Sequence, residues 1–299
     1  MGVLLNLDNI TKDQHYVPIF YLKQFADDND LVYCYSKVTK KRFNAHPKNI
    51  CYKKYCYEVK LSQPINGFEY LLPNATEKMF ASFEGEYHSA LQSIVKKCEL
   101  NSDGQSLICT AEEKRILASM TANFILRNPY VVDKYPNEAE IDEIIENNEE
   151  INSINKMLIE LRLGDVRPFV NLVKKRIFFD PKQDGTANDI ANDLMSMNLS
   201  FLLADNIEFI TSDCPVGYNC DENNMKMARI PLSPKVMAVY SRLKNAKPFK
   251  NKSCKIGDKY VVQLNRDYLN WGYAKNIYSK NKGNIDLLLL NSSAVWEVK

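Results

Sequence analysis

The sequence predicts an α+β fold: a single domain over 1–299 in which N- and C-terminal strands build a mixed sheet around a central helical block. Three observations carry this expectation. β-branched and aromatic runs cluster in residues 1–75 and again in 201–299, whereas apolar residues recur at helical spacing across 76–200. A chain of 299 residues, 45% hydrophobic and 25% charged, is long and apolar enough to bury a proper core. No internal repeat or low-complexity linker divides it. This composition excludes a disordered, collagen-like or coiled-coil chain, and no run reaches the roughly 18 apolar residues of a membrane-spanning helix.

The elements follow in order. Pro18 sits at the start of a short opening helix over 16–25, with Val17, Tyr21 and Phe25 apolar. Residues 31–36 read as a strand, 40–43 as its hairpin return and 52–59 as a second strand. Thr76 is the expected cap of a helix carrying Phe80, Phe83, Tyr87, Leu91 and Ile94. Thr110 and Glu113 form a capping box opening a helix over 110–126, which Pro129 closes. Further helices are expected over 137–150, 151–163 (ended by Gly164) and from Pro168 to 177. The last third returns to strands at 207–210, 235–240 and 260–264, a short helix over 267–275, and a final buried strand at 277–279.

Eight cysteines without tight pairs or a signal-peptide-like start point to free thiols and a cytoplasmic location rather than disulfides or structural zinc. Lys outnumbers Arg by 30 to 9, a bias that makes each Arg stand out. The net charge of +2 hides a segregation. Residues 37–60 and 235–260 each hold eight Lys or Arg against one acid, while 133–150 hold eight acids against Lys134. If the two basic segments share a sheet, they form a face for phosphates, with Lys40, Lys41, Arg42, Lys53, Lys54, Lys244 and Lys247 as candidate nucleic-acid contacts. Tyr52, Tyr55 and Tyr57 interleave with them as stacking surfaces.

Four constellations carry candidate chemistry. His15 precedes Pro18 at a helix start and is one of only three histidines. Asp213 follows an apolar strand, where a carboxylate is held still. Asn123 and Arg127 share a helix face, and an inward Arg needs a carboxylate or phosphate partner. Glu84 borders an apolar helix face, with Glu77 two turns earlier. No glycine-rich phosphate loop, Gly-x-Ser-x-Gly elbow or His-Glu-x-x-His pattern is present. The ten glycines argue against a dinucleotide fold.

Taken together, Gln14-His15-Tyr16-Val17-Pro18-Ile19-Phe20-Tyr21-Leu22-Lys23-Gln24-Phe25, Arg127-Asn128-Pro129, Phe209-Ile210-Thr211-Ser212-Asp213-Cys214-Pro215-Val216, Pro231-Leu232-Ser233-Pro234 and the closing Asn265, Ala274, Ile277-Tyr278-Ser279 pattern resemble a large family of bacterial proteins catalogued as a domain of unknown function. The resemblance covers nearly the whole chain. It implies that His15, Arg127 and Asp213 form one site, and it suggests a bacterial or mobile-element setting in which accessory genes encode defence or toxin functions.

The leading expectation is a nuclease-like phosphodiesterase acting on nucleic acid as a defence or toxin effector. Asp213 and Glu84 would hold Mg or Mn, His15 would move protons, Arg127 would neutralise phosphate charge and Asn123 would orient one of these groups. The alternative is a non-catalytic binding or sensor subunit of a defence complex, partnered by another protein, in which His15, Arg127 and Asp213 are structural. A third reading is a site for a nucleotide or other small phosphorylated ligand. An open cleft above His15 and Asp213 favours catalysis, and a buried, mutually satisfied triad favours the module.

Overall fold

The computed structural model describes residues 10–65, 67–101, 104, 106–221, 224–243, 250–270 and 273–291. The fold is α+β. β1 (Asp13–His15) pairs antiparallel with β4 (Tyr52–Lys54), and between them lie α1 (Ile19–Leu22), β2 (Val32–Ser36) and β3 (Arg42–Ala45). β5 (Val59–Ile65) and β6 (Phe68–Leu71) form a second ribbon. The strand expected over 52–59 is thus two strands separated by a turn, in which Tyr55 adopts φ 54.

The helical block begins with α2 (Ala75–Leu100). Its N-cap is Asn74 at φ 63, not Thr76; Asn tolerates this left-handed conformation, and Thr76 is instead buried inside the first turn. α3 (Ala111–Leu126) opens with the expected capping box, in which the Thr110 side chain accepts from the Glu113 amide and the Glu113 carboxylate from the Thr110 amide. α4 (Pro129–Val132), α5 (Glu138–Asn147), α6 (Glu149–Glu160), α7 (Arg167–Phe179) and α8 (Thr186–Ser196) complete the block. Gly164 at φ +94 makes the turn between α6 and α7.

After the block come β7 (Asn198–Leu203), β8 (Thr211–Ser212), β9 (Gly217–Asp221), β10 (Asn224–Ser233), β11 (Val236–Ser241), β12 (Ser253–Lys255), α9 (Asp258–Asn270), β13 (Asn276–Ser279) and α10 (Lys282–Asn291). Residues 260–264, expected as a strand, lie within α9. Their apolar run looks extended, but Val261, Asn265 and Tyr268 are the buried positions, and their spacing of four and three is helical. The strand at the Thr-Ser-Asp segment also falls later than expected, on Thr211–Ser212 instead of 207–210.

Two sheets organise these strands. One is antiparallel, in the order β3-β2-β13-β8, so the expected meeting of N- and C-terminal strands occurs between β2 and β13, with Tyr278 opposite Cys34. The other, β12-β7-β11-β10-β9, is mixed because β12 runs parallel to β7. β11 is buried on both faces. Val236, Ala238 and Tyr240 enter the main core, shared with α2, α3 and α8, while Met237 and Val239 enter a second core with Tyr35, Val261, Tyr268, Ile277 and Leu288. The main core draws on residues from Val17 to Tyr278, so all three segments of the chain contribute to it.

The basic segments do not share a sheet. Arg42 lies on β3 of the antiparallel sheet, and 235–260 supply β11 and β12 of the mixed one. Arg42 pairs with Asp286 at 3.4 Å and Lys53 with Asp133 at 2.5 Å. Lys40, Lys41 and Lys54 are exposed. Lys244 and Lys247 lie outside the described residues. All eight cysteines are free. Among the described residues, no helix is long and apolar enough to cross a membrane.

Candidate functional site

The candidate residues separate into two neighbouring groups. The first is a closed hub around Arg127, the C-cap of α3 and the largest fully buried side chain. Its guanidinium donates to Glu84 Oε1 at 2.5 Å and to the His15 carbonyl at 2.6 Å, and lies over the Phe80 ring at 3.9 Å. The Tyr57 hydroxyl donates to the Arg127 carbonyl at 3.2 Å. A buried cation requires this company, because the cost of dehydrating it is met only by a close carboxylate and further acceptors. α2 supplies the partners because Glu77, Phe80 and Glu84 recur at spacings of three and four and share a face.

Asn123 belongs to the hub through its backbone and Phe179. Its carbonyl accepts from the Arg127 amide at 2.8 Å, and its side-chain amide donates to the Phe179 carbonyl at 3.2 Å. His15 gives the hub its carbonyl, but its ring bonds the Lys48 carbonyl at 3.2 Å and lies 5.7 Å from the Tyr52 ring. Burial and then the nearby Arg127 charge lower the His15 pKa, against the opposing effect of its Lys48 hydrogen bond. Glu77, two turns before Glu84, belongs to the hub as well. Burial, with Glu84 and Glu58 adding to it, raises its carboxyl to about 7 despite Arg127.

The second group lines an open cleft of about 460 Å³ bounded by Tyr16, Asn128, Pro129, Tyr130, Asp133, Asp213, Cys214, Tyr273 and Lys275. A recess of about 90 Å³ adjoins it, shares Asn128, Tyr130, Cys214 and Tyr273, and is walled by Phe124, Ile125, Val131 and Val216. Asp213 follows β8 and is held by the strand opposite. Its Oδ1 accepts from the Lys275 amide at 2.9 Å, and its Oδ2 accepts from the Asn276 amide at 3.1 Å and the Asn276 side chain at 3.0 Å. Burial still raises its pKa against those three bonds. Burial and Asp213 together push the Cys214 thiol up to about 12, so this sulfur is held as a thiol, accepting from the Asn128 side chain at 2.5 Å. The Tyr130 and Tyr273 rings stand 5.2 Å apart at the mouth, and each is about half exposed. The Lys275 ammonium closes no ion pair among the described residues.

The two groups are joined by adjacency in sequence. His15 and Arg127 face the hub, and the next residues, Tyr16 and Asn128, line the cleft. The hub therefore fixes the backbone from which two cleft residues project. The sequence pointed to His15, Arg127 and Asp213 as one site; the structure brings the first two together and sets Asp213 in the adjoining cleft. Glu84 is bound to Arg127, and both oxygens of Asp213 are occupied by nitrogen donors, so these two carboxylates do not present the donor set that Mg or Mn needs. Among the described residues, no group of three or more His, Cys, Asp or Glu is placed to hold a metal ion. Tyr16, Asn128, Tyr130, Cys214, Tyr273 and Lys275 were missed as site residues. The available signal was that three of them, Tyr16, Asn128 and Cys214, directly follow His15, Arg127 and Asp213.

Fold and site together define an α+β protein with a buried ionic hub behind an aromatic cleft. The chain belongs to the DUF4238 family of proteins of unknown function, whose pattern matches residues 13–283. No curated protein and no solved structure matches it.

Proposed function

We propose that this protein is a non-catalytic binding module whose cleft takes a small, flat, anionic ligand, with a nucleotide as the fitting class. One observation carries the reading: four separate sequence segments deliver Tyr16, Asn128, Asp213 with Cys214, and Lys275 to one open cleft, while Arg127 and Glu84 are consumed behind it. The half-exposed Tyr273 ring, tilted 46° to Tyr130, offers a surface on which a base stacks, and Lys275, whose ammonium closes no ion pair among the described residues, offers a cation to a phosphate. Arg127 acts as a positioning residue, through the His15 carbonyl and through its own backbone.

The phosphodiesterase reading has less support. It needs Asp213 and Glu84 to converge on Mg or Mn, and it needs His15 and Arg127 free to act on a phosphate. Each of these side chains already has another partner.

The test is calorimetric titration with the common nucleoside mono- and triphosphates and with short single-stranded RNA and DNA. Binding of at least one nucleotide, weakened at least about tenfold in Tyr273→Ala and in Lys275→Glu, is the expected result. Absence of binding, or binding unchanged in both variants, overturns the reading. Cleavage of RNA or DNA that disappears in Asp213→Asn would restore the nuclease.

A further inference from the structure

α6 is a twelve-residue helix with no buried residue. Ile151 and Leu158 lean on the small cluster of Ile141, Ile145, Val166 and Val170. On a second side, Ile154, Met157 and Leu161 recur at spacings of three and four and are 47%, 49% and 59% exposed. α7 carries a matching stripe, in which Phe169, Val173 and Ile177 recur every four residues and are 48%, 57% and 37% exposed. An amphipathic helix exists by burying its apolar side, and two such stripes on consecutive helices are apolar surface left uncovered.

The charges around the stripes identify the cover. Residues 138–160 hold eight acids against Lys156, whereas α7 holds four bases and no acid; of these Arg167 already pairs with Asp142 and Lys175 is buried, which leaves Arg176 as the exposed base beside the stripe. Glu150 lies one turn before Ile154 on the α6 stripe, and Arg176 lies three residues after Val173 beside the α7 stripe. Neither closes an ion pair among the described residues. The two stripes are therefore complementary to each other: apolar on apolar, acid against base. Laid on itself, α6 would set Glu150 against Glu150 if parallel, and against the apolar Leu161 end if antiparallel, so neither arrangement gives Glu150 a base. An anionic lipid surface would be repelled by the acids of α5 and α6.

We infer that this chain forms a two-fold dimer in which α6 of each copy packs on α7 of the other, with Glu150 facing Arg176 of the partner subunit. Two-fold symmetry makes the contact twice, because when residue i meets residue j, j also meets i. The short turn at Gly164 ties α6 to α7, so each copy offers both halves of the contact from consecutive helices. This inference is independent of the cleft and of what binds there.

Sedimentation equilibrium on the full chain, up to about 100 µM, tests it. The wild type is expected to dimerise, and more weakly at 1 M salt, where exposed ion pairs are screened. Met157→Asp and Arg176→Glu, both at exposed positions, should each weaken dimerisation at least about tenfold with unchanged circular dichroism. Adding Glu150→Arg to Arg176→Glu should restore association, because it re-forms the pair with its signs exchanged. A monomeric wild type across this range overturns the inference. So does a dimer indifferent to both single substitutions, or a double variant no tighter than Arg176→Glu alone.

Discussion

The Arg127 hub and the Asp213 cleft use similar residues to opposite ends. Each contains a buried ionisable side chain, Arg127 with two hydrogen bonds and an aromatic ring against it and Asp213 with three hydrogen bonds, and each draws on segments far apart in the chain. In the hub the partners are the Glu84 carboxylate and the His15 carbonyl, so the charge is spent on holding α2, α3 and β1 together. In the cleft the partners are backbone and side-chain nitrogens of one strand, so Asp213 is anchored from behind while the space in front of it stays open. Titratable side chains gathered by distant segments therefore do not by themselves mark an active site. What separates the two regions is whether a free volume remains once their hydrogen bonds are counted.

The sharpest way to break this comparison is Arg127→Ala. Removing one partner leaves Glu84 half-buried and unpaired, and should cost about 3–5 kcal/mol in chemical denaturation. A variant of unchanged stability would move Arg127 out of the structural class. Glu77→Gln reads the hub through pH. The folded-state pKa of Glu77, about 7, lies above its ordinary 4.5, so the folded chain holds the proton more tightly than the unfolded one. That contribution is complete below pH 4.5 and is lost as pH rises through about 7, with a slope of up to about 1.4 kcal/mol per pH unit. Unfolding free energies measured from pH 4 to 8 should show this decline in the wild type, and a flatter profile in the Gln variant.

Asp213→Asn tests the cleft's rear wall. It puts an amide donor against backbone amides, and a loss of about 1–3 kcal/mol in thermal unfolding is expected. The loss should be accompanied by weaker nucleotide binding, because the backbone of Lys275 is released. Lys275→Glu completes the series at the open side. It should shift stability by no more than about 0.5 kcal/mol while weakening binding at least about tenfold, the reverse of the Arg127 result. If Lys275→Glu unfolded the protein, the cleft would be as structural as the hub.

Much of this architecture was legible in the residues. Thr110 and Glu113 fixed the start of α3 because a capping box is a local device that needs no tertiary partner. The strand at 277–279 was legible from β-branched and aromatic content, and a meeting of N- and C-terminal strands from their placing at both ends; that 277–279 pairs with 32–36 was not. α9 was not legible, because Tyr260, Val261, Val262 and Leu264 are a strand's residues by type, and only the burial of Asn265 and Tyr268 reveals the helical period. The separation of hub from cleft was equally hidden. His15 and Tyr16 are adjacent in sequence, and only the backbone direction in three dimensions sends one to Lys48 and the other to the cleft. The basic segments misled for a related reason: charge density along a chain says nothing about which sheet a strand joins, and Lys53 spends its charge on Asp133.

The pairing of β13 with β2 has a consequence for synthesis. The Cys51 thiol donates to the Tyr278 hydroxyl, a residue 227 positions later, so a ribosome needs roughly 10–45 s to make the second partner after the first. Through that interval β2 presents an unpaired edge, and strand edges recruit whatever extended segment passes. Asp213 waits a shorter time, for amides 62 and 63 residues downstream. A nascent chain halted before residue 275 would thus have assembled most of the cleft around a carboxylate with none of its nitrogen donors. β13 and the residue before it thus close the free edge of β2 and the rear wall of the cleft in one step.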